Sequence, residues 1–216
     1  MDRPEVSKEI QDYIENEILP KYNGIGGHTD EHIRQVIERS FEFFKQTEGL
    51  NIDMVYVIAA YHDLGRLIDN ETHNIESAKM LRADEFLKAH FSAEDIETMA
   101  QAVEDHRSTL KSEPRSIYGK LVSSADRNTK VDVALGRAYD YAKHLQPDAS
   151  EDEWIEYCRY QLRIKYTPDG YAANKMYFDD PNYAGFLKEI ERITRTPEGF
   201  AEVMRDFNEK RGKSHD

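Results

Sequence analysis

The chain has 216 residues, of which 29 are basic and 42 acidic, for a formal charge of −13. That balance excludes a broad basic face for duplex nucleic acid, while leaving room for a local basic pocket. No run approaches the ~18 apolar residues of a transmembrane helix, the opening MDRPEVSKEI lacks an apolar signal stretch, and the single cysteine, Cys158, rules out an internal disulfide and any Cys-based zinc site, so a reducing cytoplasm is the expected setting.

Apolar residues recur at helical spacing almost throughout. Val6, Ile10, Tyr13, Ile14 and Ile18 define a first helix, closed by Pro20, and the glycine-dense loop KYNGIGGHTD follows. Thr29 is the expected N-cap of a helix carrying Ile33, Val36, Ile37, Phe41 and Phe44 on one face. Asp53 is expected to cap a helix over MVYVIAAYHDL that stops at Gly65. That segment is apolar nearly all round, and its alanine pair, cap and glycine stop favour a buried helix over a buried strand. A fourth helix starts near Asn74 and carries Ile75, Ala78, Leu81, Phe86 and Leu87. Ser92 opens the next, with Ile96, Met99, Ala100 and Val103 inward.

After a break at SEPRS, IYGKLVSSAD reads as another buried helix, and a further one runs through Val131, Leu135, Ala138 and Ala142. Ser150 and Glu153 form a capping box ahead of Trp154, Tyr157 and Cys158, and TPDG marks a turn. A helix near Pro181 carries Phe186, Leu187, Ile190 and Ile193. Thr196, Pro197 and Glu198 open the last one as N-cap, N1 and N2, with Phe200, Val203, Met204 and Phe207 inward. No alternating strand pattern appears. The length corresponds to about 1.4 domains of ~150 residues each. The expected fold is therefore an all-α globule of about nine helices. Its expected organisation is an N-terminal helix over residues 1–25, a core over 26–145, and a C-terminal helical extension over 146–216 within the same domain.

Eight histidines occur. His62 and Asp63 stand together in VYVIAAYHDLG. At about 100° per residue, His62 falls in the middle of the face made by Val55, Ile58 and Ala59, and Asp63 at its edge. A buried carboxylate costs several kcal/mol unless a cation or strong donors compensate it. A metal ion would do so, as would a buried hydrogen-bonded pair or a helix-end arrangement. His32 and His106 lie on the flanks of the apolar faces of their helices, and Asp126 ends the run IYGKLVSSAD. Each alone reads as a satisfied, partly buried residue. Together they place three imidazoles and two carboxylates on the inner or flanking faces of four helices, the kind of inward projection from which helix bundles build metal sites. Imidazole plus carboxylate suits Fe, Mn, Zn, Co or Ni.

The order His32, His62-Asp63, Asp126 resembles the HD superfamily of metal-dependent phosphohydrolases. HTDEHIRQV resembles the segment around the family's first histidine, HDLGR its HD-[IL]-G-[KR] motif, and SSADRNTKVD the segment around its last aspartate. HNIESAKML and AVEDHRS are similar to segments of the dinuclear branch, although no GYP motif follows His106. The resemblance covers roughly residues 26–130. It implies that His32, His62, Asp63 and Asp126 bind a first divalent metal, that Asp63 bridges to a second, and that His73 and His106 complete the second site. Mn or Fe is the expected ion, with Zn, Co, Ni or Mg as alternatives, and either one or two ions per chain. Arg66 matches a basic position that contacts substrate phosphate. Arg107, Arg127 and Lys130 are further candidate phosphate contacts. His28 reads as a loop or capping residue, and His90, His144 and His215 as surface residues.

The function that the resemblance implies is hydrolysis of a phosphate ester or anhydride of a small, nucleotide-like metabolite, with no membrane or duplex nucleic acid as partner. The alternatives are a di-iron oxygenase of the same superfamily and a non-catalytic metal-binding helical module. The tyrosine-rich segment RYQLRIKYTPDGYAANKMYFDDPNY reads as aromatic core and loop packing, with a nucleotide-stacking lid as its alternative.

Overall fold

The structure, a computed structural model, describes residues 3–24 and 30–213. Among these residues it is helical and without strands. The elements are α1 (Lys8–Tyr13), α2 (Asp30–Phe44), α3 (Ile52–Tyr61), α4 (His73–Ala83), α5 (Glu85–His90), α6 (Ala93–Glu104), α7 (Ile117–Ala125), α8 (Val131–Leu145), α9 (Glu151–Tyr166), α10 (Pro181–Ile193) and α11 (Pro197–Lys213). Among the described residues no helix is long and apolar enough to cross a membrane. The chain divides into two compact units. The first runs to Asp126 and also includes Met176–Asp179; the second comprises Arg127–Lys175 and the residues from Asp180 onward.

The first unit is organised around α3. Every residue from Met54 to Tyr61 is buried, and α2, α4, α6 and α7 all pack against this helix. Its N-cap is Asn51, whose side-chain oxygen accepts the Asp53 N–H at 2.9 Å. The expected cap, Asp53, instead accepts the Ser7 backbone N–H at 2.7 Å, so its carboxylate ties the N-terminal segment to α3.

Three further expectations need correction, each for a local reason. The first helix is short: after α1 the chain passes into a π turn over Ile14–Ile18 and a 3-10 turn over Leu19–Gly24, while Ile10, Ile14 and Ile18 keep their shared buried face. The helix expected from Asn74 through Leu87 is broken at Asp84, which has extended backbone. Its carboxylate caps α5 by accepting the Leu87 N–H at 3.0 Å and also accepts the hydroxyls of Tyr13 at 2.6 Å and Tyr61 at 2.7 Å. Ile75, expected inward, is exposed. Finally, α3 ends at Tyr61 rather than at Gly65. His62 is its C-cap, Asp63 leaves helical geometry at φ −109°, ψ 4°, and Leu64–Leu67 form a 3-10 turn. Among the described residues there are eleven α-helices rather than about nine, and the break at Asp84 adds one of them by separating α5 from α4.

The second unit buries Leu135 and Tyr139 of α8, Cys158 and Leu162 of α9, Phe186 and Ile190 of α10, and Phe200 and Met204 of α11. Its helix starts follow local chemistry. Ser150 and Glu153 form a reciprocal capping box. Asp180 accepts from Asn182 and Tyr183 ahead of a proline at N1. Thr196 accepts the Gly199 N–H at 3.2 Å. The tyrosine-rich segment is spread over both units. Tyr166 and Tyr183 are buried in the second, whereas Phe178 stacks on Phe43 in the first, with ring centroids 5.1 Å apart. Thr29, His28 and His215 lie outside the described residues.

Candidate metal centre

Five helix ends and one turn deliver the candidate ligands. His62 is the C-cap of α3 and Asp63 opens the following turn; His73 is the first residue of α4; His106 follows α6; Asp126 is the C-cap of α7; His32 lies in the first turn of α2. Three of the histidines are tied to backbone carbonyls, two in the last turn of a helix and one in the loop before α4. The Nδ1–H of His62 donates to the Ala59 carbonyl at 2.8 Å, that of His73 to Asn70 at 2.8 Å, and that of His106 to Val103 at 2.6 Å. Each carbonyl lies three residues upstream. A proton held on Nδ1 leaves Nε2 as a lone-pair donor, which is how ligating imidazoles are oriented.

All these Nε2 atoms turn toward Asp63, whose side chain is 1% exposed. Its two oxygens face different partners. Oδ2 lies 3.5 Å from His62 Nε2 and 4.0 Å from His32 Nε2. Oδ1 lies 3.2 Å from His73 Nε2 and 3.6 Å from His106 Nε2. Asp126 Oδ1 joins the first set at 3.3 Å from His32 and 3.8 Å from His62. The His73 and His106 Nε2 atoms are 3.3 Å apart. Two potential metal-holding groups result, His32–His62–Asp63 and Asp63–His73–His106, with Asp63 in common.

Five of these seven spacings, from 3.2 to 3.6 Å, fit a shared ion better than a hydrogen-bond network, and those of 3.8 Å and 4.0 Å are longer. Donor atoms bound to one ion at ~2.0–2.2 Å lie roughly 3–3.6 Å apart, whereas good N–H···O bonds cluster near 2.9 Å. His73 and His106 also present nitrogen to nitrogen, each with its Nδ1 bonded to a backbone carbonyl.

The electrostatics follow the same division. Burial pulls His62 down, but the Asp63 and Asp126 carboxylates outweigh it and push the imidazole up to about 9. Burial, followed by the neighbouring His106, lowers His73 to about 4 against the opposing pull of Asp63. Burial disfavours ionisation of Asp126, yet His32 and His62 outweigh that and hold its carboxyl well below the usual range. The metal-free first group therefore carries a proton on His62 at neutral pH, whereas His73 is neutral. Uptake of an ion by the first group must expel the His62 proton. Its affinity is expected to fall about tenfold per pH unit below about 9, while His73 adds no such dependence above about 4. Calorimetric titration at pH 7 in two buffers of different ionisation enthalpy checks this: about one proton released with the first ion is expected, and no release contradicts it.

Two further features keep the histidines together. Gly65 donates its N–H to the buried Ser77 hydroxyl at 2.7 Å. A Cβ at Gly65 would stand 2.2 Å from the His73 carbonyl oxygen and 2.5 Å from the Ser77 nitrogen. Gly65 has no positive φ, so it is a point of close approach rather than a left-handed helix stop. Arg39 donates to the Ala125 carbonyl at 2.7 Å and so supports the end of α7 from which Asp126 projects. Ser77 and Arg39 carry no local sequence signal, because their partners are distant in the chain.

Arg66 joins the cluster. Its Nε lies 3.0 Å from Asp63 Oδ1, and its guanidinium also bonds the Asn70 side chain. Arg107 donates to the Glu71 carbonyl, in the loop that leads to His73. Arg127 and Lys130 fall in the second unit, the former buried and the latter exposed. His90 and His144 are exposed.

Comparison with known proteins finds one solved structure and one family model. A solved structure described as a predicted HD superfamily hydrolase, from an uncultured Thermotogales bacterium, is similar to this chain at 19% identity and a TM-score of 0.48, over 73% of this chain and 87% of that one. No curated protein matches. The family model of the HD domain matches residues 29–129, just under half of the chain and the stretch that contains His32, His62, Asp63, His73, His106 and Asp126. Residues 29–129 of this chain are thus similar to the HD domain, a class that binds divalent metal ions.

Proposed function

We propose that this protein is a metal-dependent phosphohydrolase acting on a phosphate ester or anhydride of a small, nucleotide-like metabolite. One observation carries the reading: a buried carboxylate, Asp63, directs its two oxygens at two separate histidine groups. His32, His62, Asp63 and Asp126 would hold one divalent ion, and Asp63, His73 and His106 a second, with Mn or Fe favoured. When bound, such a pair supplies positive charge for the phosphoryl oxygens and lowers the pKa of a water toward neutrality. No Ser or Cys nucleophile is then needed, and Cys158 is buried in the second unit. A reducing cytoplasm fits that lone thiol.

The chain's own contribution is orientation and charge. The three Nδ1–H donors fix the direction of the Nε2 lone pairs. Arg66, anchored on Asp63, sets a planar guanidinium beside the shared carboxylate, where it complements the charge on transferring phosphoryl oxygens. Arg107 would extend that positive surface toward the rest of the substrate.

Arg66→Ala is expected to lower turnover by about 10²–10³-fold with metal content unchanged. Lysine at this position should recover little, since it lacks the planar fork. Parallel metal analysis and kinetics check this; turnover equal to wild type would reduce Arg66 to a helix-end charge. The function itself is tested by metal quantification together with a panel of nucleotides and phosphate esters under Mn and Fe loading, with oxygen consumption recorded. Phosphate release without oxygen uptake supports hydrolysis. Oxygen uptake indicates the di-iron oxygenase chemistry. Retained metal with no turnover indicates a non-catalytic module.

A further inference from the structure

A polar lattice outside the ligand cluster joins the two helices that carry the second histidine pair. His73 begins α4 and His106 follows α6. The side chain of Asn74, next to His73, donates to the Glu104 carbonyl at 2.8 Å. Further along α4, Arg82 donates to the Glu104 carboxylate at 2.7 Å.

The same end of α6 is gripped from the other side by Arg115, in the break before α7. Its backbone N–H donates to Asp105 Oδ2 at 2.8 Å. Its Nε reaches Asp105 Oδ2 at 2.9 Å, and its Nη2 reaches Asp105 Oδ1 at 2.8 Å, Glu104 at 2.5 Å and the Gln101 carbonyl at 3.2 Å. Asp105 is buried and immediately precedes His106. A fork of this kind fixes both position and rotation of the carboxylate it holds. It also adds a second donor to the Gln101 carbonyl, which already accepts the Asp105 backbone N–H at 3.1 Å.

We propose that Arg115 is a positioning residue for the second metal group. By clamping Glu104 and Asp105 it fixes the end of α6, and with Asn74 it sets the separation of the His73 and His106 Nε2 atoms. This assignment rests on the dinuclear reading of the site. Arg115 touches no ligand atom itself. It governs the half of the site built from α4 and α6, leaving the half built on α2, α3 and α7 to other contacts.

The test uses Arg115→Ala and, in case alanine impairs folding, Arg115→Lys, which keeps the charge but loses the fork. Metal-free chain is titrated with Co(II) and followed by its visible absorption. In both variants the weaker of two binding steps should lose about 10–100-fold in affinity, while the tighter step stays within about twofold. Unchanged affinities, or two affinities falling in step, overturn the proposal. A second readout needs no metal: in nitrogen-15 spectra of the metal-free protein, the His73 and His106 ring signals should shift in the variants while those of His62 stay in place. Ring signals of His73 and His106 that do not move overturn the clamp. Should wild type take up no pair of Co(II) ions, the dinuclear reading fails, and the ring signals alone decide the role of Arg115.

Discussion

Replacing Asp63 by alanine is expected to remove both metal ions together and to cut turnover by at least about a thousandfold, since losing ~4 kcal/mol of charge stabilisation corresponds to that factor. The reason is geometric. Every other candidate ligand serves one group only, whereas Asp63 sends Oδ2 toward His62 and Oδ1 toward His73. Alanine also strips the charge that holds His62 protonated in the metal-free chain. Asp63→Asn separates loss of the site from loss of the fold. The amide keeps the volume of the carboxylate but loses its charge and one of its two acceptor oxygens. Thermal unfolding close to wild type, with metal content near zero by elemental analysis, is the expected result for that variant. Metal content unchanged in either variant would contradict the site.

The second large effect is expected at Gly65. A methyl group there meets backbone at 2.2 Å and 2.5 Å, the His73 carbonyl oxygen and the Ser77 nitrogen, and neither is the tip of a flexible side chain. Something must move, and the mobile partner is the first turn of α4, which carries His73. Gly65→Ala is expected to cost about 3 kcal/mol, the upper end of the usual range for overpacking. That lowers the melting temperature of the first unit by roughly 6–12 °C. The displacement should also weaken the second ion more than the first. Calorimetric unfolding and metal stoichiometry read the two consequences separately. A stable variant with both ions retained would show that the turn has slack.

Helix starts were legible from sequence wherever the chemistry was local. Ser92, Ser150, Asp180–Pro181 and Thr196–Pro197 act within three residues of themselves, so spacing alone reveals them. Breaks imposed by tertiary partners were not. Asp84 interrupts a continuous apolar pattern because it serves two tyrosine hydroxyls, one from Tyr13 and one from Tyr61, as well as its own cap. Similarly, the pattern predicts that α3 runs on to Gly65, yet Asp63 departs from helical geometry at φ −109°, ψ 4°.

The site was half legible. Burial on an apolar helix marked His62 and Asp63 as residues that need a partner, and the inward flanks of their helices pointed to His32 and His106. The pairing of His73 with the second group rested on family resemblance, because periodicity does not single out the first residue of α4. The residues that hold the ligands in place were not legible at all. Arg39, Ser77 and Arg115 look like ordinary surface or helix residues until their distant partners are seen.

The four residues Met176–Asp179 belong to the first unit although the chain on either side of them belongs to the second. The backbone therefore crosses between the units three times, after Asp126, before Met176 and after Asp179. No single truncation point yields either part intact. A fragment that stops near residue 130 keeps every candidate ligand but forfeits the Phe178 ring stacked on Phe43 and the Tyr177 N–H bonded to Ser124, two residues before Asp126. Excising the first unit cleanly would require grafting that short return segment back on.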